Sequence, residues 1–98
     1  MVIERAELSV LPGREADFET AMQRGVPLLA SAPGCASVGL ARGVERPSRY
    51  LLMLKWQSIE DHTAFTGTDG FVKFRELAGP FFAERPAMEH FEPVAGAV

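Results

Sequence analysis

Apolar and polar residues alternate imperfectly from Val2 to Leu11. Val2, Ala6, Leu8 and Val10 share one face with Glu4, while Ile3, Arg5, Glu7, Ser9 and Leu11 share the other. A period of two predicts a strand with one buried and one mixed face. Pro12-Gly13 signals a turn. From Arg14 to Ser31 the period changes: Phe18, Ala21, Met22, Gly25 and Leu29 recur at helical spacing, which predicts an amphipathic helix. Glu15, Asp17 and Glu19 suit the positive end of its dipole. Pro27 lacks an amide hydrogen and would cost a helix interior about 3 kcal/mol, so a break or kink is expected near Gly25-Val26.

After Pro33-Gly34, the runs Cys35–Val44 and Arg49–Gln57 read as two strands joined through the polar loop Glu45–Ser48. In the second of them Tyr50, Leu52, Leu54 and Trp56 point one way, and Leu51 and Met53 the other. Helices on one side of a sheet cover only one apolar face. The second face predicts a partner sheet from another copy of the chain, hence a homodimer. Ser58 to Asp61 resembles a capping box, with the serine hydroxyl on first-turn amides and Asp61 reaching back. A helix from Ile59 to about Thr66 is expected. Gly67–Gly70 breaks it, Phe71–Leu77 forms another short helix, Gly79-Pro80 ends that one, and Ala87–Val94 is the last strand. The order is β-α-β-β-α-β with a split second helix: an α+β, ferredoxin-like plan with a four-stranded antiparallel sheet.

Composition narrows the functional classes. At 98 residues with 47% hydrophobic content the chain makes one domain, residues 1–98. A net charge of −3 argues against a broad nucleic-acid footprint, which needs a basic face. The single cysteine, Cys35, forms no internal disulfide and fits a reducing compartment. Glu4, Arg5 and Glu7 interrupt any signal-peptide core, and no apolar run suits a membrane span, so a cytoplasmic protein without membrane contact is expected.

Several motifs in series carry a resemblance. They are Trp56 ending the third strand, Glu60-Asp61-His62 in the next helix, Phe71-x-x-Phe74, Gly79-Pro80-Phe81-Phe82, and Pro86-x-x-Glu89-His90-Phe91. In order and spacing they resemble the antibiotic biosynthesis monooxygenase family of dimeric α+β barrels. The resemblance implies oxidation of phenolic or quinol-type compounds by O2, with no metal or flavin cofactor. A related branch binds and degrades haem, but places its histidine where this chain has Phe65 and Thr66. The first-strand asparagine often used by the characterised oxygenases has no counterpart, because the sequence contains no asparagine. The alternative is a non-catalytic, ligand-binding or stress-associated dimer on the same barrel.

His62 is the candidate catalytic base. It shares a helical face with Ile59 and Thr66 and points toward the sheet, where it would serve a helix–sheet cavity or bond a backbone carbonyl. His90 shares a strand face with Met88, Glu92 and Val94 and reads first as a packing or dimer residue. Trp56, Phe65 and Phe74 are candidate walls for a flat aromatic ligand, although their spacing is also that of a small core. Tyr50 and Arg49 are candidate polar contacts to it. Cys35 reads as a small buried residue. The two histidines lack metal-binding spacing, no paired cysteines exist, and no glycine-rich loop follows a strand in phosphate-binding register.

Overall fold

A computed structural model describes residues 1–98. The elements in chain order are β1 (Val2–Ser9), α1 (Glu15–Ala30), β2 (Cys35–Arg42), β3 (Arg49–Trp56), α2 (Ile59–Phe65), α3 (Asp69–Ala78), a 3-10 turn (Gly79–Phe81) and β4 (Ala87–Phe91). The four strands form one antiparallel sheet in the order β2-β3-β1-β4, the ferredoxin-like arrangement, and the sheet stays open. Helices cover one face. Against it lie Ala6 and Leu8 of the first strand, Val10 just beyond its end, and Tyr50, Leu52, Leu54 and Trp56 of the third, all buried, as their alternation requires. Phe18, Met22 and Leu29 of α1 and Phe65, Phe74 and Ala78 of α2 and α3 close that core from above.

The first helix does not break at Pro27. It runs unbroken from Glu15 to Ala30 with the proline inside it. The carbonyl deprived of its partner is that of Gln23, and both Gln23 and Pro27 lie on the exposed side of the helix, where water can satisfy the group. The opposite side buries Met22, Gly25 and Leu29 on either flank of the proline, so packing holds the helix together through it.

Several boundaries also move, β1 ending at Ser9 rather than Leu11 and β2 at Arg42 rather than Val44. Asp69 and Gly70, expected in the interhelical break, belong to α3, because the Thr68 hydroxyl caps it by accepting from the Phe71 amide at 3.3 Å. The last strand stops at Phe91 rather than Val94. The outer sheet face is more mixed than β3 alone suggests. Ile3 is buried there and Leu51 half-buried, but Arg5, Glu7, Arg49 and Lys55 share that side.

The end of β3 and the start of α2 are fixed tightly. Ser58 caps α2, its hydroxyl accepting from the Asp61 amide at 3.2 Å. Asp61 does not reach back to complete the box. Its carboxyl lies against Gly34, where any Cβ would collide with it. Gly34 has φ +84°, a left-handed conformation open to glycine, and its carbonyl accepts from the Gln57 amide at 2.8 Å. This contact sets the position of α2 over the sheet.

Candidate functional site

Four side chains from four elements meet beneath α2. Glu4 lies on the helix side of β1, in line with buried Ala6, Leu8 and Val10. His90 faces it directly across β4, and Trp56 lies diagonally on β3, opposite Val2. His62 descends from α2. Its other buried companion on that helix is Phe65, whereas Ile59, expected on the same face, is 45% exposed.

No fully buried polar side-chain atom of the site lacks a partner. The indole N–H of Trp56 donates to Glu4 Oε1 at 2.9 Å, and His62 Nε2 lies 3.2 Å from the same oxygen. On the other side of the ring, His62 Nδ1 lies 2.7 Å from His90 Nε2. The imidazole stacks on the Trp56 indole with centroids 5.1 Å apart and planes 16° apart. Glu4 is only 8% exposed, and burying a carboxylate is costly unless donors replace its water. The Trp56 indole is such a donor, and the edge of the His62 ring lies in polar contact with the same oxygen. Burial, the largest influence, lowers the pKa of His62 below its ordinary 6.5; the Glu4 charge opposes the shift and His90 adds to it. His62 is therefore neutral at pH 7.

The arrangement does not gather a metal-binding set. Glu4 and His90 approach opposite nitrogens of the His62 ring, so the three cannot converge on one ion, and no group of three such side chains elsewhere in the chain does so.

The other sequence-predicted residues divide between core and surface. Trp56 is wholly buried, and His62 occupies the ring face that an aromatic ligand would have used. Phe65 packs 5.9 Å from that indole and stands edge-on to Phe71, and Phe74 closes the core between α1 and α3. Tyr50 stands at the far end of β3, roughly 20 Å from Trp56 at the usual strand rise. Its hydroxyl donates to Glu19 at 2.6 Å, and burial together with that carboxylate pushes its pKa to about 12. It borders a groove of about 310 Å³ with Met22, Val26, Leu40 and Arg42. Arg49 lies on the opposite sheet face, 3.9 Å from Glu7, in a concavity of about 500 Å³. Neither residue joins His62. Glu4 is the partner that periodicity does not single out. Its one available signal in the sequence is a lone carboxylate on an otherwise apolar strand face.

The sequence profile of the antibiotic biosynthesis monooxygenase (ABM) family matches residues 1–77. The chain belongs to this family. Glu4, Trp56 and His62 fall inside the match, and His90 lies beyond it. YczJ of Bacillus subtilis, an uncharacterized protein, is 33% identical over 95 residues, covering 96% of this chain and all of YczJ. A Bordetella bronchiseptica crystal structure, named as a candidate antibiotic biosynthesis monooxygenase, superposes with a TM-score of 0.91 at 39% identity, covering 96% of this chain and 97% of the other. SnoaB of Streptomyces nogalater, a cofactor-independent oxygenase, superposes with a TM-score of 0.84 over 97% of this chain and 94% of its own. At 18% identity that likeness shows the ABM fold alone. No helix of the chain is long and apolar enough to cross a membrane.

Proposed function

We propose that this ABM-family protein is a monooxygenase that oxidises an electron-rich, acidic aromatic small molecule of phenol or quinol type with O2 and without a cofactor. The observation that carries the reading is the neutral, buried imidazole of His62 held between the Glu4 carboxylate and His90. A proton acceptor of fixed orientation in a water-poor site is what such chemistry asks of the protein. The substrate loses its proton to the histidine site. The anion then passes one electron to O2, and the resulting radical and superoxide combine through a new C–O bond. The peroxide takes the proton back, and loss of water from the hydroperoxide leaves a ring carbonyl. One O2 is consumed, one oxygen atom enters the product and the other leaves as water.

The acid–base balance restricts the substrate. Passing a proton from a phenol of pKa about 10 to an imidazole near 6.5 is uphill by ~3.5 units, roughly 5 kcal/mol. Burial of His62 widens that gap. The substrate must therefore carry an acidified hydroxyl or ring C–H, as in a phenol conjugated to a carbonyl. Oxygen-electrode measurements on a panel of quinols and anthrone-type phenols, without added metal or flavin, test this. Uptake is expected with the acidic members and none with simple phenols. No uptake across the panel, together with saturable ligand binding, would replace the reading with a non-catalytic binding protein.

The same reading includes a homodimer joined sheet to sheet. Its support is the outer face, where Ile3, Leu51, Met53 and Phe91 lie among the charges. A cover from a second copy would bury this face as a domain core cut in half. Light scattering at micromolar concentration should return twice the chain mass of 10.7 kDa. A monomer would reject the sheet-to-sheet assembly.

A further inference from the structure

The hydrogen bonds around His62 have a direction, and following it moves the point of chemistry to another residue. An indole N–H only donates, so Glu4 Oε1 accepts from Trp56. A bare ring lone pair held against a carboxylate oxygen is repelled, so His62 Nε2, 3.2 Å from the same oxygen, carries the ring hydrogen. His62 is neutral, which leaves its Nδ1 as a bare acceptor. The 2.7 Å contact there is therefore a hydrogen bond donated by His90 Nε2–H. It is the one hydrogen bond the His90 side chain makes, and a neutral His90 then has a bare Nδ1. No fully buried side-chain nitrogen in the protein lacks a partner, so this unpartnered Nδ1 belongs to the part of the half-buried His90 ring that keeps some solvent contact. His62, by contrast, has its Nδ1 bonded to His90 and its Nε2 against Glu4, and is 8% exposed.

We propose that Glu4, His62 and His90 form a directional proton relay whose substrate-facing base is His90 Nδ1, with His62 as the positioning residue behind it. This rests on the oxygenase reading for the identity of the proton donor, an acidified phenol or ring C–H. His90 Nδ1 takes the substrate proton. The Nε2 proton of His90 moves across the 2.7 Å contact to His62 Nδ1. His90 is then neutral again with its hydrogen on Nδ1, and His62 is an imidazolium whose Nε2–H faces the Glu4 carboxylate. The peroxide intermediate receives the proton by the reverse sequence, so no charge is gained or lost over the cycle. The charged or titratable groups facing the His62 ring are Glu4 from β1 and His90 from β4; β3 contributes the uncharged Trp56. Positive charge thus settles beside the carboxylate, away from the substrate. Met88, two residues before His90 on the same strand face, is 46% exposed and provides an apolar neighbour for a ring held against Nδ1.

Two measurements decide the proposal separately from the oxygenase reading. The chain has two histidines, so long-range 1H–15N spectra of the labelled protein near pH 8 resolve four ring nitrogens. Both rings should show Nε2–H with a bare Nδ1. A His62 with its hydrogen on Nδ1 would reverse the relay and overturn the proposal, whether or not any substrate is turned over. Diethyl pyrocarbonate, which acylates accessible bare imidazole nitrogens, should modify His90 and spare His62 in the native protein. Equal or faster modification of His62 would overturn it. Where a substrate of the panel is oxidised, His90→Ala should lower kcat by about 100-fold or more, and added imidazole should restore part of it. Unchanged kcat in folded His90→Ala would reject His90 as the base while leaving the oxygenase reading intact.

Discussion

Trp56→Ala is expected to destabilise the protein by about 3–5 kcal/mol, the usual range for removing a buried tryptophan. Trp56 has no exposed surface, and its indole touches both His62 and Phe65. The cavity is only part of the loss. Without the indole N–H, Glu4 Oε1 loses its hydrogen-bond donor and keeps only the His62 contact, and an under-satisfied buried carboxylate carries a further desolvation penalty. Single domains have about 5–15 kcal/mol of stability in all, so the variant loses a large share of it. Trp56→Phe separates the two contributions, since it retains most of the ring volume and removes the donor. Urea denaturation should place Trp56→Phe between the wild type and Trp56→Ala. If Trp56→Phe is as stable as the wild type, the indole–carboxylate bond contributes nothing, and Glu4 does not depend on Trp56 for its burial.

Much of the fold is legible in the sequence because strand and helix periods differ. Tyr50, Leu52, Leu54 and Trp56 alternate cleanly, and all four are buried against the helices. Ser58 marks the start of α2, and its hydroxyl makes the expected bond. Pro27 misleads, because propensity says what a proline costs and not whether the freed carbonyl can face water. The site is legible only in part. Alternation places Glu4 on the buried face, yet a lone acid among apolar residues does not announce its partners. These come from residues 56 and 62, and strand register and the seat of Asp61 against Gly34 bring them together. His90 reads as a packing residue because nothing within its own strand points to His62. Their meeting depends on β4 pairing with β1 so that His90 stands opposite Glu4, a long-range register that no local pattern encodes. Arg49 and Tyr50 lie on the same strand as Trp56 but at its distant end, and on two different faces.

Removing the His62 imidazole should cost both activity and stability, and the pH dependence of the loss distinguishes a relay histidine from a packing one. A partly exposed cavity histidine could be deleted with little change in melting temperature. This one is 8% exposed, bonded to His90 and in polar contact with Glu4, so His62→Ala leaves Glu4 without that neighbour and His90 Nε2–H without an acceptor. One unpaired buried group costs about 1–3 kcal/mol. The wild type carries a second signature. The pKa of His62 is lower in the folded chain than its ordinary 6.5, so below that value the unfolded chain binds more protons than the folded one. The stabilisation is thus complete above pH 6.5 and is lost as pH falls through the lower folded value, with a slope of at most about 1.4 kcal/mol per pH unit for one proton. His62→Gln keeps a polar side chain of similar reach but does not titrate, so the difference in stability between it and the wild type should shrink as pH falls from about 7 toward about 5. Parallel stability curves for the two proteins across that window would mean that His62 is not held neutral by burial. That result would remove the basis for the relay's direction, because Nδ1 of His62 is a bare acceptor only while the ring is uncharged.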